Sequence, residues 1–192
     1  MAKNFTELDI SSLKNKLKEE CEKSWKENGY KSTSIAYLTK KVGISTGSFY
    51  RIYETKEDLF FDVFSMIQIN LKNKLKYIIN QNKGLEGFKN AFKWLFKEYS
   101  SYPKLYNFNN PDYLLFINKL SSKDIESLKL HNEDFFHETL IDSNLSLKIP
   151  KEKAYAILNT LLVTSTMDKE FSYNKLEVFE FLLESSIKNI FN

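Results

Sequence analysis

Turn-forming residues are scarce in this chain, with five glycines and three prolines in 192 residues. A β-sandwich or barrel carries a turn signal about every 8–12 residues, so that class is excluded. Cysteine occurs once, at Cys21, which rules out an intramolecular disulfide framework and fits a reducing compartment. There are two histidines, His131 and His137, and a single arginine, Arg51, among 28 basic residues. No apolar run approaches the ~18 residues of a membrane span. The opening MAKNFTELDI lacks the apolar stretch of a secretory signal. These shortages leave a soluble, cytoplasmic, helix-rich protein as the expectation, with no membrane partner.

What is present suffices for a packed body. Hydrophobic residues make up 42% and charged residues 28%, a balance that rules out wholesale disorder. A chain of this size removes roughly 70% of its unfolded surface from water. The net charge is +3 and is unevenly placed: residues 1–56 hold 11 Lys/Arg against 7 Asp/Glu, the remainder 17 against 18. Between Lys31 and Lys56 five bases face one acid, Glu54. Such a local basic face is either a footprint for phosphate or simply a solvated helical surface. Aromatics lean the other way, with seven of 29 in residues 1–56 and 22 beyond. The chain thus divides into a small basic module, residues 1–56, and a larger aromatic-rich body, residues 57–192, joined inside a helix.

The periodicity predicts helices throughout, over about 11–28, 34–41, 46–52, 56–81, 85–101, 111–121, 123–142, 151–168 and 173–191. In the first, Leu13, Leu17, Cys21 and Trp25 form one stripe, and Gly29 is a C-terminal stop. Ser32, Thr33 and Ser34 offer N-caps for the second helix and Ser45 caps the third, the two separated by Val42-Gly43-Ile44, and Thr55-Lys56-Glu57-Asp58 resembles a capping box.

Two short helices around a glycine turn are a helix-turn-helix. The second must enter a major groove ~12 Å wide, so its outward residues must be small, polar or able to lie flat. Ser45, Thr46, Gly47, Ser48, Tyr50 and Arg51 satisfy this, while Ile44 and Phe49 face inward. A glycine inside a helix costs about 1 kcal/mol against alanine, so Gly47 makes sense where something bulky must come close. Lys56 adds a cation at a helix N-terminus whose exposed amides suit phosphate.

The stretch from Ile35 to Leu59, IAYLTKKVGISTGSFYRIYETKEDL, with WKENGYKST upstream at Trp25–Thr33, resembles the DNA-binding signature of the tetracycline-repressor (TetR/AcrR-like) family. The resemblance is contiguous over about 45 residues, a quarter of the chain. It implies an all-α fold: a three-helix DNA-binding module, then a larger helical body for ligand binding and dimerisation, with about nine helices in all. It implies a homodimeric regulator, a repressor, on a pseudo-palindromic operator in double-stranded DNA, released by a small hydrophobic or aromatic effector and needing no cofactor. Phosphate contacts are implied for Ser34, Ser45, Tyr50 and Lys56, and groove contacts for Thr46, Gly47 and Ser48. Arg51 either reads a guanine in bidentate fashion or clamps a phosphate. Trp25 and Tyr53 stand where phenylalanine is commoner in the family, and Ala36 and Tyr37 bring no charge to the start of the second helix.

By the same resemblance the fourth to eighth predicted helices, about 56–168, enclose an effector pocket, and the aromatic excess supports it. The candidate lining is Phe92, Phe96, Tyr99, Tyr113, Phe116, His131, Phe135 and Tyr155, any of which is alternatively plain core. In the last two helices Ile157 and Leu161, and Phe179, Leu183, Ser186, Ile187 and Ile190, form apolar faces suited to a four-helix dimer bundle, or else to burial within one subunit. Two rival readings remain: a helical protein-interaction module without DNA binding, and a metal-dependent enzyme using His131, Asp134 and Glu138. The second is the weaker, because such a set on one helix is more simply a solvated, ion-paired face. The chain shows no phosphate loop, dinucleotide fingerprint or nucleophile elbow, and the expectation is no enzyme and no metal.

Overall fold

A computed structural model describes residues 7–167 and 172–192, apart from the side chains of residues 7, 8 and 129–135. Ten α-helices occupy the described residues: α1 Glu7–Asn28, α2 Ile35–Val42, α3 Thr46–Phe49, α4 Lys56–Gln81, α5 Leu85–Ser101, α6 Pro103–Tyr106, α7 Pro111–Ile117, α8 Ser122–Ser143, α9 Lys151–Val163 and α10 Lys175–Ile190. A 3-10 turn, Thr164–Thr166, follows α9. Among the described residues the one β feature is an isolated antiparallel bridge between Leu147 and Phe191.

Local chemistry sets most boundaries. The Ser34 hydroxyl caps α2 by accepting from the Tyr37 amide at 3.1 Å. Gly43 ends it in the left-handed region, φ 77°, where a Cβ is disfavoured. Thr55 and Asp58 complete a reciprocal capping box on α4, with bonds of 3.1 and 2.9 Å. Several boundaries differ from expectation, among them the ends of α7, at Ile117 rather than about 121, and of α9, at Val163 rather than about 168. α1 begins at Glu7 rather than near Ser11, with Asp9 in its first turn suiting the positive helix end. α3 stops at Phe49, and the chain leaves it through a turn in which the Arg51 and Ile52 amides bond three residues back, at 3.3 and 2.8 Å. α6 is an extra helical turn started by Pro103 at its first position, where proline's missing N–H has no role.

Two apolar clusters hold the helices together. The upper one joins the second half of α4 to α5, α8, α9 and α10 through Leu75, Phe88, Phe96, Leu158, Phe179 and Leu183. The lower one packs α1–α3 and the first half of α4 around Trp25, and it continues into the body through Leu105, Tyr106, Tyr113, Phe116 and Leu128. Trp25 is fully buried between the rings of Phe60 and Phe116, 4.7 and 5.0 Å away, each pair contributing about 0.5–1.5 kcal/mol beyond area burial. The small module therefore has no apolar core closed off at residue 56.

Candidate functional site

The outward edge of the helix-turn-helix is open. Ser34, Ser45, Thr46, Gly47, Tyr50 and Arg51 are exposed and Ser48 is half-buried, while Phe49 is fully buried beneath them. Ser45 caps α3 by accepting from the Ser48 amide at 3.1 Å, and the two hydroxyls lie 3.0 Å apart. Tyr50 is 54% exposed, and its ring edge stands against Phe49 at 5.3 Å. A Cβ on Gly47 would meet only the Ser45 hydroxyl, at 3.8 Å. Gly43, by contrast, is held by its backbone angle. The subunit itself has a use for Gly43 but none for Gly47. Lys31, Lys40 and Lys41 are exposed nearby in sequence, with the Lys41 ammonium 5.6 Å from the Tyr37 ring.

Lys56 is held inward. Its Nζ donates to the Tyr30 carbonyl at 2.7 Å and sits 4.0 Å from the Tyr30 ring centroid. Burial is the main cause lowering its pKa from the ordinary lysine value. Beside it the Tyr30 hydroxyl donates to Glu57, and Glu57 also accepts from Lys119, beyond α7, at 3.1 Å. Burial and the Glu57 bond raise the Tyr30 hydroxyl to about 12. The Lys31 amide donates to Asp112 at the start of α7, at 2.8 Å. A Cβ on Gly29 would collide with that carboxylate, and Gly29 has φ 87°, so this close approach requires glycine. The loop that precedes α2 is thus bolted to the body by polar contacts.

In the body, α4, α5, α8 and α9 enclose a cavity of about 460 Å³. Three expected lining residues, Phe92, Tyr99 and Tyr155, are on its wall. Phe96 is not: it stacks on Phe179 at 4.1 Å. Tyr113 and Phe116 belong to the lower cluster around Trp25. The side chains of His131 and Phe135 lie outside the described residues. The expected lining left out the α4 residues Phe64, Ile67, Gln68, Leu71 and Lys72, although α4 itself was expected in the wall, and also Tyr106, Phe108 and Phe136. Lys72 and Glu138 line the cavity and form an ion pair.

The expected dimer faces need correction. Phe179, Leu183, Ile187 and Ile190 of α10 and Leu161 of α9 are buried within the subunit, and Ile157 and Ser186 are half-buried. The periodicity marked the apolar side of α10, and that side is taken by α5 and α9. The exposed large apolar residues of these helices are instead Phe181 (72% exposed), Leu182 and Val163, together with Tyr155 at the cavity wall. Among the described residues no group of three or more His, Cys, Asp or Glu is placed to hold a metal. The His131 and Asp134 side chains are not among those described. Cys21 is buried, and desolvation pushes its thiol well above the ordinary range, as for an inert core residue. No described helix is long and apolar enough to cross a membrane.

The architecture is that of a two-part helical protein: a helix-turn-helix with its second helix exposed, mounted on a cavity-bearing bundle. Residues 21–63 match the family model of bacterial regulatory proteins, tetR family. The N-terminal module is therefore a TetR-family domain, and the chain as a whole has the fold of that family's regulators. A TetR-family transcriptional regulator from Pectobacterium atrosepticum superposes with a TM-score of 0.67 at 16% identity, covering 97% of this chain and 98% of that one. The Thermus thermophilus repressor FadR, solved in complex with lauroyl-CoA, gives 0.58 at 17% identity, over 92% and 94% of the two chains. The superantigen PfiT gives 0.66 at 14% identity, over 96% and 98%. At such identities the likeness is one of fold. No curated protein gives a significant sequence match.

Proposed function

We propose that the chain is a transcriptional regulator that binds double-stranded DNA as a homodimer, represses from a pseudo-palindromic operator, and is released when a small effector fills the cavity in its body. The observation that carries this reading is the exposed edge of α3, where Gly47 is open to solvent although no packing requires a glycine there. A duplex backbone approaching closely supplies the missing reason. Thr46 and Ser48 then face the groove, Ser34, Ser45 and Tyr50 hold phosphates, and Arg51 serves at the end of α3. Lys56 acts by fixing the Tyr30 loop, and the phosphate contact implied for it is not its main role.

The homodimer reading uses Phe181, Leu182 and Val163, exposed on α9 and α10, as its apolar contact. Two-fold symmetry sets the recognition helices about 34–36 Å apart. Support for an effector comes from the cavity and from the acyl-CoA bound by the Thermus relative.

Selection of bound duplexes from a random library tests this. An inverted repeat is expected, with affinity falling steeply as salt rises. Recovery of no duplex, or binding indifferent to salt, would favour a protein-interaction module. Arg51→Ala separates its two roles: a loss of about 1–3 kcal/mol confined to one base position means base reading, a uniform loss means a phosphate clamp.

A further inference from the structure

Gln68 lies on α4 in the wall of the cavity. Its amide oxygen is buried and has no hydrogen-bond partner. A buried acceptor left unpaired costs about 1–3 kcal/mol, and native structures keep few of them. Around it the wall is apolar and aromatic: Phe64, Ile67, Phe92, Leu95 and Leu158. The charges among the described lining residues are Lys72 and Glu138, and these neutralise each other. The described wall therefore carries a buried unmet acceptor at Gln68, a long apolar surface, the polar ends of Tyr99, Tyr106, Tyr155 and Asn159, and no charge outside the Lys72–Glu138 pair.

We propose that the cavity takes an uncharged amphipathic molecule: an apolar chain or fused-ring body bearing one hydroxyl or amide N–H, which donates to the Gln68 oxygen. This rests on the effector reading above and names the ligand class. The terminal torsion of a glutamine is broad, so the oxygen reaches the cavity with little strain. The volume of about 460 Å³ equals some 15 water volumes at ~30 Å³ each, room for a body of about that many heavy atoms. A free carboxylate has no donor for Gln68 and meets no free cation on the described wall.

Calorimetric titration with dodecan-1-ol, methyl dodecanoate, dodecanoate and lauroyl-CoA, on the full chain and on Gln68→Leu, tests the assignment. The alcohol is expected to bind at least tenfold more tightly than the methyl ester or the carboxylate, and Q68L to abolish that preference while still binding the chain. Thermal melts of both proteins confirm that the variant is folded. Tighter binding of dodecanoate, methyl dodecanoate or lauroyl-CoA overturns the proposal. So does an unchanged order in Q68L, or no binding by any of the four. Operator binding measured with each ligand keeps the two readings apart. If dodecan-1-ol binds through Gln68 but no ligand alters operator occupancy, the effector reading fails and the ligand class stands. If lauroyl-CoA alone releases the operator, the effector reading stands and the ligand class fails.

Discussion

At the scale of single residues, the two glycines of the helix-turn-helix answer to different demands. Gly43 is set by a positive φ, and Gly43→Ala is expected to cost about 1–2 kcal/mol through left-handed strain. Gly47 lies in α3 with space around it, so Gly47→Ala leaves stability unchanged or raises it by up to about 1 kcal/mol and yet weakens operator binding at least tenfold. Urea denaturation beside DNA titration checks both halves, and a Gly47→Ala protein with normal DNA affinity would leave that glycine without a functional reason.

Asp62 shows the same separation between sequence and surroundings. Its carboxylate accepts from the Tyr53 hydroxyl at 2.8 Å and lies 3.3 Å from Lys14. Burial alone raises its pKa, but the Tyr53 bond and the lysines outweigh burial and leave it below the ordinary value. A depressed folded pKa adds stability that is present above the ordinary carboxylate range and lost as pH falls through and below it. Asp62→Asn is expected to cost about 1 kcal/mol at neutral pH and to flatten the acid limb of the stability curve, read from urea midpoints between neutral and acid pH.

At the scale of elements, α4 is the shared part. Its first half closes the core of the small module and its middle, from Phe64 to Lys72, walls the cavity. Its capping box therefore matters beyond one helix end. Thr55→Ala is expected to lower stability by about 1 kcal/mol and to increase hydrogen exchange of the Lys56, Glu57 and Asp58 amides. α6 and α7 form the second link. Tyr106 and Phe108 line the cavity, while Asp112, a few residues on, holds the Lys31 amide. The cavity is thus connected to the loop before α2 by a short run of chain as well as by α4. The Ser34 cap and the Gly43 stop made α2 legible in the sequence, and the Thr55–Asp58 capping box did so for α4. α6 was not, because a four-residue helix between two prolines has too little periodicity to register.

For the whole molecule, the decisive feature is that the lower core runs through the small module into the body. Leu17, Trp25 and Phe49 on one side share it with Leu105, Tyr113 and Phe116 on the other. Residues 1–56 alone lack about half of that cluster. A fragment of those residues is expected to show no cooperative thermal transition, while the full chain melts with the module and body together, as followed by far-UV circular dichroism. A cooperatively folded fragment would mean that the module closes its own core.

Helical class, helix count to within one, the caps and the exposed edge of α3 were written in the sequence, because they follow from local periodicity, cap chemistry and turn geometry within a few residues. What each apolar face packs against was not. Phe179, Leu183 and Ile187 read equally well as a subunit contact or as core, and Phe96 equally well as cavity wall or packing. A hydrophobic stripe records that a face leaves water, not which neighbour covers it. Only the crossing of α4 with α5, α8 and α9 decided that Gln68 and Lys72, polar residues on an otherwise ordinary helix, stand at the edge of a cavity.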